Sequence, residues 1–587
     1  MPDSKRAPTA GPVSKPGLFA ISLKKLSLPS FFVVATVVLS PRASLDDVWS
    51  RISISQSPPL CRAPLPSVQA MGVTIAEHPL LRAAALHLNK DLDAFFQQHG
   101  LESAAIAVVT GTGAVYEGFR GVQRANETNG QRTVDRHSIY RVASISKLFA
   151  TVKTLMLRDA GLLNLCVAPE SLPFHDTPTR DDPITGILSD FPSAPGDDPV
   201  TVRQLMTHMS GLNRECPPGS SNGSWPASLD GSGPPGYSGL PFPDRKTFMA
   251  GIVPSGRVAP PYTFPVYSNT AFSVLGLVNL AVTKRHEGEK APQTHAELMH
   301  RDIFVPLGLN GSSFIVSEVN KDKVVVPSVK TDDIDANFGD VTNPAGGQMS
   351  SLSDLVKIVR TFVDPTRKHA LLRPYTIREW LRPLHVWWDD YSEVGAVWEI
   401  LRFTDSHSRN LRLFIKLGEL DGIHSLISIN PTTGFGTVIL TSGPTMETIP
   451  LNDMIMSRFQ PAFEAINEEL IRKSLVGTWV SDDGRYKINV DIISGSLFAT
   501  QYTIDDIDVL KTINDGTSTS TALWHTGNKQ FRLAKGVPGA GCLFEWVSLD
   551  DYAHDRGYAT NMIRLTGNPG EETLQIPATG AELRRRL

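Results

Sequence analysis

Apolar and polar positions follow two different periods along this chain, and the periods locate its elements. Leu81, Ala84, Leu88, Leu92 and Phe95 fall three and four residues apart, which predicts a one-faced helix from Leu80 to Gln98. The unbroken run Ala104 to Thr110 predicts a buried strand. Gly111-Thr112-Gly113 predicts a turn, and Ala114 to Gly121 the partner strand. Helical spacing returns at Leu148, Thr151, Leu155 and Leu157 and stops at Gly161. Val200 to Leu212 reads as a capped helix closed by Gly211. Residues 213 to 265, rich in Gly, Pro and Ser, carry no period and read as one long loop: a lid or pocket wall, or a decorated surface loop. A helix resumes after Tyr267-Ser268-Asn269, and another follows the turn at Gly346-Gly347.

The period then shortens. Val397–Ile400, Leu411–Lys416, His424–Ile429 and Gly434–Leu440 read as four strands of an antiparallel meander, closed by a helix from Leu451 to Leu470. From Leu475 onward, short alternating segments separated by turns such as Asp482-Asp483-Gly484 predict a small all-β domain, barrel-like in its spacing. The fold class is therefore α+β, an antiparallel sheet packed with helices, plus this C-terminal all-β domain. The expected divisions are 1–70 (leader and linker), 75–465 and 475–587.

Composition narrows the function. The 587 residues carry a net charge of −4, with 41% hydrophobic and 20% charged residues, so no basic face for nucleic acid is predicted. Lys24-Lys25 and the apolar run Leu28 to Leu39 resemble a secretory signal, expected over about residues 20–43, with a membrane-tethering signal-anchor as the alternative. Three sequons, at Asn126, Asn222 and Asn310, agree with secretion and glycosylation. In an oxidising compartment Cys61, Cys166, Cys216 and Cys542 can form one or two disulfides, and the pairing is open. No Cys-x-x-Cys or paired-histidine pattern suggests a metal, and no cofactor is expected.

Candidate chemistry sits at Ser144-Ile145-Ser146-Lys147. Residues three apart share a helix face, which puts Ser144 beside Lys147 near a helix N-terminus. A serine hydroxyl needs a neighbouring base, and a lysine serves as one only when burial or a nearby cation lowers its pKa. His208 reads as a packed structural histidine rather than a catalytic one.

Ser144-x-x-Lys147, Tyr267-Ser268-Asn269 and Lys416-Leu417-Gly418 occur in that order. They resemble the Ser-x-x-Lys, Tyr-x-Asn and Lys-Thr-Gly motifs of the serine β-lactamase and penicillin-binding-protein superfamily. Tyr140-Arg141-Val142-Ala143, Leu205 to Leu212, Gly346-Gly347 and Trp398-Glu399-Ile400 are similar to its class C-like branch of peptidases and esterases. Cys61 to Pro66 looks like the start of secreted fungal members.

The resemblance implies a β-lactamase/transpeptidase-like domain and an acyl-enzyme mechanism on a small ester, amide or thioester. Ser144 would be the nucleophile, with Lys147 and Tyr267 sharing the proton and either able to serve as base. Asn269 would position substrate and Lys147. Lys416 and Gly418 would serve substrate binding, Lys416 by positive potential. The backbone N–H groups of Ser144 and Glu419 would form the oxyanion hole. Coulomb reasoning favours a neutral Lys147 and an ionised Tyr267. Leu417 stands where the family has a hydroxyl that helps bind a substrate carboxylate, so hydrolysis of a less charged ester or amide is expected. The alternatives are an acyltransferase of secondary metabolism, a β-lactamase or D-amino-acid peptidase, and an inactive binding protein of the same fold. A third motif at Gly422-Ile423-His424 is the other alignment. Oligomeric state and membrane contacts are left open by the sequence.

Overall fold

Strand β1 (Ser103–Thr110) is buried on both sides, and its alternate residues enter two different cores. The computed structural model describes residues 61–67, 75–128, 132–165, 181–193, 196–368, 370–514, 516, 518–536, 541–568 and 570–586. The expected signal and Cys166 lie outside the described residues. Ala104, Ile106 and Val108 share a core with Leu81, Ala84, Leu88 and Leu92 of α1 (Pro79–Gln98). Ala105, Ala107 and Val109 face the larger core, to which α2 (Ser146–Asp159) contributes Leu148, Phe149, Val152 and Leu155. A period-two strand with apolar residues on both faces is the middle layer between two helical layers.

The sheet is completed in sequence order. β2 (Gly113–Gly121) pairs with β1, while β3 (Ile139–Arg141) and β4 (Met349–Ser351) form a separate ribbon. β5 (His385–Val386), β6 (Ser392–Val394), β7 (Glu399–Thr404), β8 (Asn410–Leu420), β9 (Ile423–Asn430) and β10 (Phe435–Ser442) finish an eight-stranded sheet in the order β2-β1-β10-β9-β8-β7-β6-β5. Every pairing in it is antiparallel, as the meander predicts.

Several predicted boundaries move. The helix expected through His208 is only α3 (Val202–Met206). A Thr201–Gln204 capping box starts it, and the left-handed His208, at φ 60°, lies beyond its end. The expected loop at 213–265 contains α4 (Arg245–Ser255), capped by the Asp244 side chain on the Thr247 N–H. Gly251 and Pro254 inside that helix masked it. α5 (Asn269–Glu287), α6 (Leu352–Val363) and α7 (Thr448–Ser474) fall where helical spacing puts them. The strand expected from Val397 begins at Glu399, because Val397 is left-handed at φ 66°.

After α7 come β11 (Gly477–Ser481), β12 (Tyr486–Ile493), β13 (Ser496–Ile504), the two-residue β14 (Ile507–Asp508), β15 (Thr521–Gly527) and β16 (Gln530–Ala534). The chain then makes α8 (Gly541–Ser548), a small hairpin of β17 (His554–Asp555) and β18 (Tyr558–Ala559), and β19 (Met562–Thr566), β20 (Thr573–Ile576) and β21 (Ala581–Arg586). Pairings run β12-β11-β21-β20-β19-β16-β15-β13 and return from β13 to β12, which closes an eight-stranded antiparallel barrel. Trp479, Ile488, Tyr502, Phe531 and Leu583 fill it. α8 and a short helix at Val509–Ile513 are the helical additions to an otherwise β region.

The described residues, from Cys61 onward, form one compact unit. Residues 61–67, which fall in the expected linker, are packed against the barrel: Leu65 joins its core, and Cys61 is disulfide-bonded to Cys542. Cys216 is free and buried. Among the described residues, no helix is long and apolar enough to cross a membrane.

Candidate active site

Ser144 sits in a single 3-10 turn (Ala143–Ile145), half-buried, just ahead of the regular α2. Ala143 is left-handed at φ 45°, a costly conformation for a residue with a Cβ, and it turns the chain sharply out of β3. The turn is held from behind. Ser146 Oγ donates to the Ala143 carbonyl at 2.6 Å and accepts the Gln348 N–H at 3.0 Å. The buried Arg141 donates to the carbonyls of Ile334, Ala336 and Gly347 and so ties the neighbouring loops to the nucleophile's strand.

Lys147 is fully buried. Its Nζ donates to Ser144 Oγ at 2.9 Å and to the Ala345 carbonyl at 2.5 Å, the latter in the turn Asn343–Gly347. Burial pushes its pKa down, Tyr267 pulls it back up, Lys416 lowers it again and Glu215 raises it, and the net shift is down. The Tyr267 phenol lies within electrostatic reach of Ser144, Lys147 and Lys416. Both lysine Nζ atoms also lie near its ring, at 4.9 and 5.3 Å from the centroid. Burial alone would raise the phenol's pKa, but Lys147 and Lys416 outweigh it, and the net shift is down. For Tyr267 the neighbouring lysines set the direction that Coulomb reasoning expects, whereas for Lys147 the largest cause is burial rather than a nearby cation.

His208 forms the floor under Tyr267. The rings stack at 4.7 Å and 21°, and Nδ1 accepts the Ser268 N–H at 3.1 Å. That bond assigns the proton to Nε2, which is buried without a partner among the described residues. Burial first, then Lys147, Lys416 and Arg214, hold the imidazole pKa well below its ordinary value, so His208 is a neutral platform.

The third motif approaches from β8. A Cβ on Gly418 would lie 2.1 Å from the Val142 carbonyl oxygen, so glycine lets the strand pass beside the nucleophile's turn. Ser425 of β9 donates to the same carbonyl at 3.0 Å. Lys416 is buried and reaches Tyr267, whereas Gly422-Ile423-His424 falls in the β8–β9 turn and the start of β9, and the His424 side chain reaches the Gly443 carbonyl instead. Leu417 and the exposed Glu419 continue the strand.

Two acidic residues that were given no role from sequence complete the cleft. Glu399, from β7, takes Lys416 Nζ at 2.5 Å on one oxygen and the Leu417 N–H at 2.8 Å on the other. The free positive potential expected of Lys416 is therefore largely neutralised. Burial would lower the Lys416 pKa, but Glu399 and then Tyr267 raise it, so Lys416 stays charged. Glu215 accepts from Asn269 Nδ2 at 2.6 Å. Burial raises its pKa against Asn269, Lys147 and Arg214. Trp398-Glu399 was visible as a motif, but its partner lies 17 residues away across a strand pair, and Glu215 carried no pattern at all. The sequon residues Asn126, Asn222 and Asn310 are all exposed and stand outside this cleft's contacts.

The chain is similar to several known proteins. A family model described as Beta-lactamase matches residues 88–454. The beta-lactamase-like protein str6 of Strobilurus tenacellus is 33% identical over 306 residues, half of this chain and 99% of that one. The beta-lactamase-like protein str5 of the same organism is 37% identical over 250 residues, 40% of this chain and 84% of that one. Among solved structures, a class C beta-lactamase aligns with 64% of this chain and 96% of its own, at 17% identity and a TM-score of 0.48.

Proposed function

Since the chain belongs to the β-lactamase family, we propose that it is a serine hydrolase that cleaves a small ester, amide or thioester through an acyl-enzyme on Ser144. The observation that carries this is the 2.9 Å bond between Lys147 Nζ and Ser144 Oγ, with the amine fully buried and its pKa lowered. A base must sit within hydrogen-bond reach of the proton it takes, and it must be unprotonated when it does so.

Ser144 Oγ attacks the substrate carbonyl carbon while its proton passes to the Lys147–Tyr267 pair. The backbone N–H groups of Ser144 and Glu419 hold the oxyanion. Collapse breaks the bond to the leaving group, which takes the proton back from the same pair. Water then attacks the acyl carbonyl and gives a proton to the pair; the bond from the acyl carbon to Ser144 Oγ breaks, the acid leaves, and Oγ takes the proton back from the pair. Asn269, two residues after Tyr267 and bonded to Glu215, would position the substrate. Leu417 offers no hydroxyl and Lys416 is engaged by Glu399, which favours substrates without the carboxylate of penicillins and stem peptides.

Secretion belongs to the same reading. A Cys61–Cys542 disulfide fits an oxidising compartment, and the three exposed sequons are open to glycosylation.

The test is fluorophosphonate labelling of wild type and Ser144→Ala in parallel, with turnover of a short p-nitrophenyl ester and a chromogenic cephalosporin. Labelling and ester turnover are expected in wild type only, with the cephalosporin spared. Equal labelling of both proteins would overturn the assignment of Ser144, and cephalosporin turnover would restore β-lactamase activity.

A further inference from the structure

We infer that Glu399 is a specificity-determining residue that acts as a built-in carboxylate ligand. From within the fold it occupies the donors that would otherwise receive an anionic group of the substrate, and it so selects esters and amides that are neutral at that place. The inference rests on the acyl-enzyme reading above and names the residue that sets its substrate class.

The geometry is that of a bound carboxylate. Oε1 takes Lys416 Nζ at 2.5 Å, and Oε2 takes the Leu417 N–H at 2.8 Å. One oxygen is enough to neutralise a buried lysine. The second bond follows from strand register. Glu399 is the first residue of β7 and stands against Ile415 of β8. Val397, left-handed at φ 66°, takes the chain out of the sheet. Past Ile415, β8 therefore has no strand beside it on that side among the described residues. Alternate N–H groups of a strand point the same way, so the Leu417 N–H faces the space where β7 has ended. Without the Glu399 side chain it would be a free donor next to Lys416.

Lys416 has little left to offer a ligand. An ammonium carries three N–H donors. Besides Glu399, it bonds the Leu417 carbonyl at 2.8 Å and lies 5.3 Å from the centroid of the Tyr267 ring. Exposure decides which charge a ligand meets. The Lys416 side chain is 1% exposed and that of Glu399 31%, so the pair presents its anion outward. A substrate carboxylate meets Glu399 before it reaches Lys416, and like charges repel strongly where water is scarce. The exposed Glu419, two residues beyond Leu417, adds the same sign. To bind at this place an anion would have to break two charge-assisted bonds already made.

The experiment uses the full chain and two pairs of esters that differ only in charge. 3-Acetoxybenzoate against its methyl ester puts the charge on the leaving group. p-Nitrophenyl hydrogen adipate against p-nitrophenyl methyl adipate puts it on the acyl chain. The readout is the neutral-to-anionic ratio of kcat/KM within each pair, which a general loss of folding or of catalysis leaves unmoved. Wild type should favour the neutral ester in both pairs. Glu399→Gln keeps an acceptor for the Leu417 N–H and gives up the charge. It should move the ratio toward the anionic ester by about 10- to 100-fold in at least one pair, the worth of a hydrogen bond to a charged group. Glu399→Ala leaves room for a free carboxylate, so acetate should raise its thermal midpoint more than that of wild type, a reading that needs no turnover. Ratios unmoved in both pairs, a wild type that prefers the anionic esters, or an acetate response no larger in Glu399→Ala than in wild type would each overturn this role of Glu399 while leaving acylation of Ser144 intact. Absence of both ester turnover and fluorophosphonate labelling in wild type would overturn the acyl-enzyme reading, and this inference with it.

Discussion

In the cleft, Lys147 and Lys416 converge on one phenol, and of the two only Lys416 has a carboxylate partner. The C-terminal barrel buries a single charged side chain among its described residues, Glu545, which faces one donor, the Trp524 indole N–H, at 2.8 Å. The cleft crowds like charges where water is excluded and thereby moves protons off their ordinary pKa values. The barrel does what a stability element does: it fills its interior with Trp479, Tyr502, Phe531 and aliphatic side chains. Perturbed groups that cluster mark chemistry, whereas a solitary one is compatible with packing alone.

The sharpest break of this contrast is Lys147→Met. It should cost about 10²- to 10⁴-fold in ester turnover, the usual worth of a positioned base. It should also raise the thermal midpoint, because a buried amine without a carboxylate is replaced by a side chain of similar length that prefers burial. A lowered midpoint would mean that the amine holds the fold together, and the contrast would fail. Trp479→Ala is the converse. Its ring is fully buried with the indole N–H on the Leu475 carbonyl, so the change should destabilise by about 3–5 kcal/mol in urea titration. Ester kcat/KM should stay unchanged at temperatures where the variant is folded. A large kcat effect there would couple the barrel to the cleft.

The smallest effect concerns pH. Burial lifts the Glu545 carboxyl from its usual 4.5 to about 7. A folded-state pKa above the unfolded one means that the native state binds the proton more tightly. The native state is therefore favoured below pH 4.5, and that advantage is lost as pH rises through about 7. Glu545→Gln keeps an acceptor for Trp524 and carries no charge. It should be more stable than wild type at pH 8, with the gap closing by pH 5, as read from paired denaturation curves. A gap that does not change with pH would remove titration of Glu545 as its cause.

What was legible in the sequence was whatever is encoded locally. Ser144 and Lys147 are three residues apart, so helix geometry alone brings them together, and Tyr267-Ser268-Asn269 was readable because Ser268 caps the helix behind it. The faces of β1 and α1 followed from their periods. What escaped depends on distant pairing. Glu399 meets Lys416 only through the register of β7 with β8, which sets Glu399 against Ile415. Glu215 meets Asn269 across 54 residues of chain that show no period. Closure of the barrel likewise turns on β11 pairing with β21, the first strand with the last, which no local spacing announces. The α4 helix was missed for the opposite reason: its own Gly251 and Pro254 are local signals for a loop, and tertiary packing of Phe248, Met249 and Ile252 overrides them.

The Cys61–Cys542 bond joins residues 481 positions apart, so nearly everything described here lies inside one covalent ring. A protease that cuts any single peptide bond within that ring converts it to an open chain without releasing a fragment. Both sides of the cut stay attached through sulfur, and the main sheet, already paired across distant segments, keeps its two portions at high local concentration. Such a nicked molecule would migrate as one species until a thiol is added and as two afterwards.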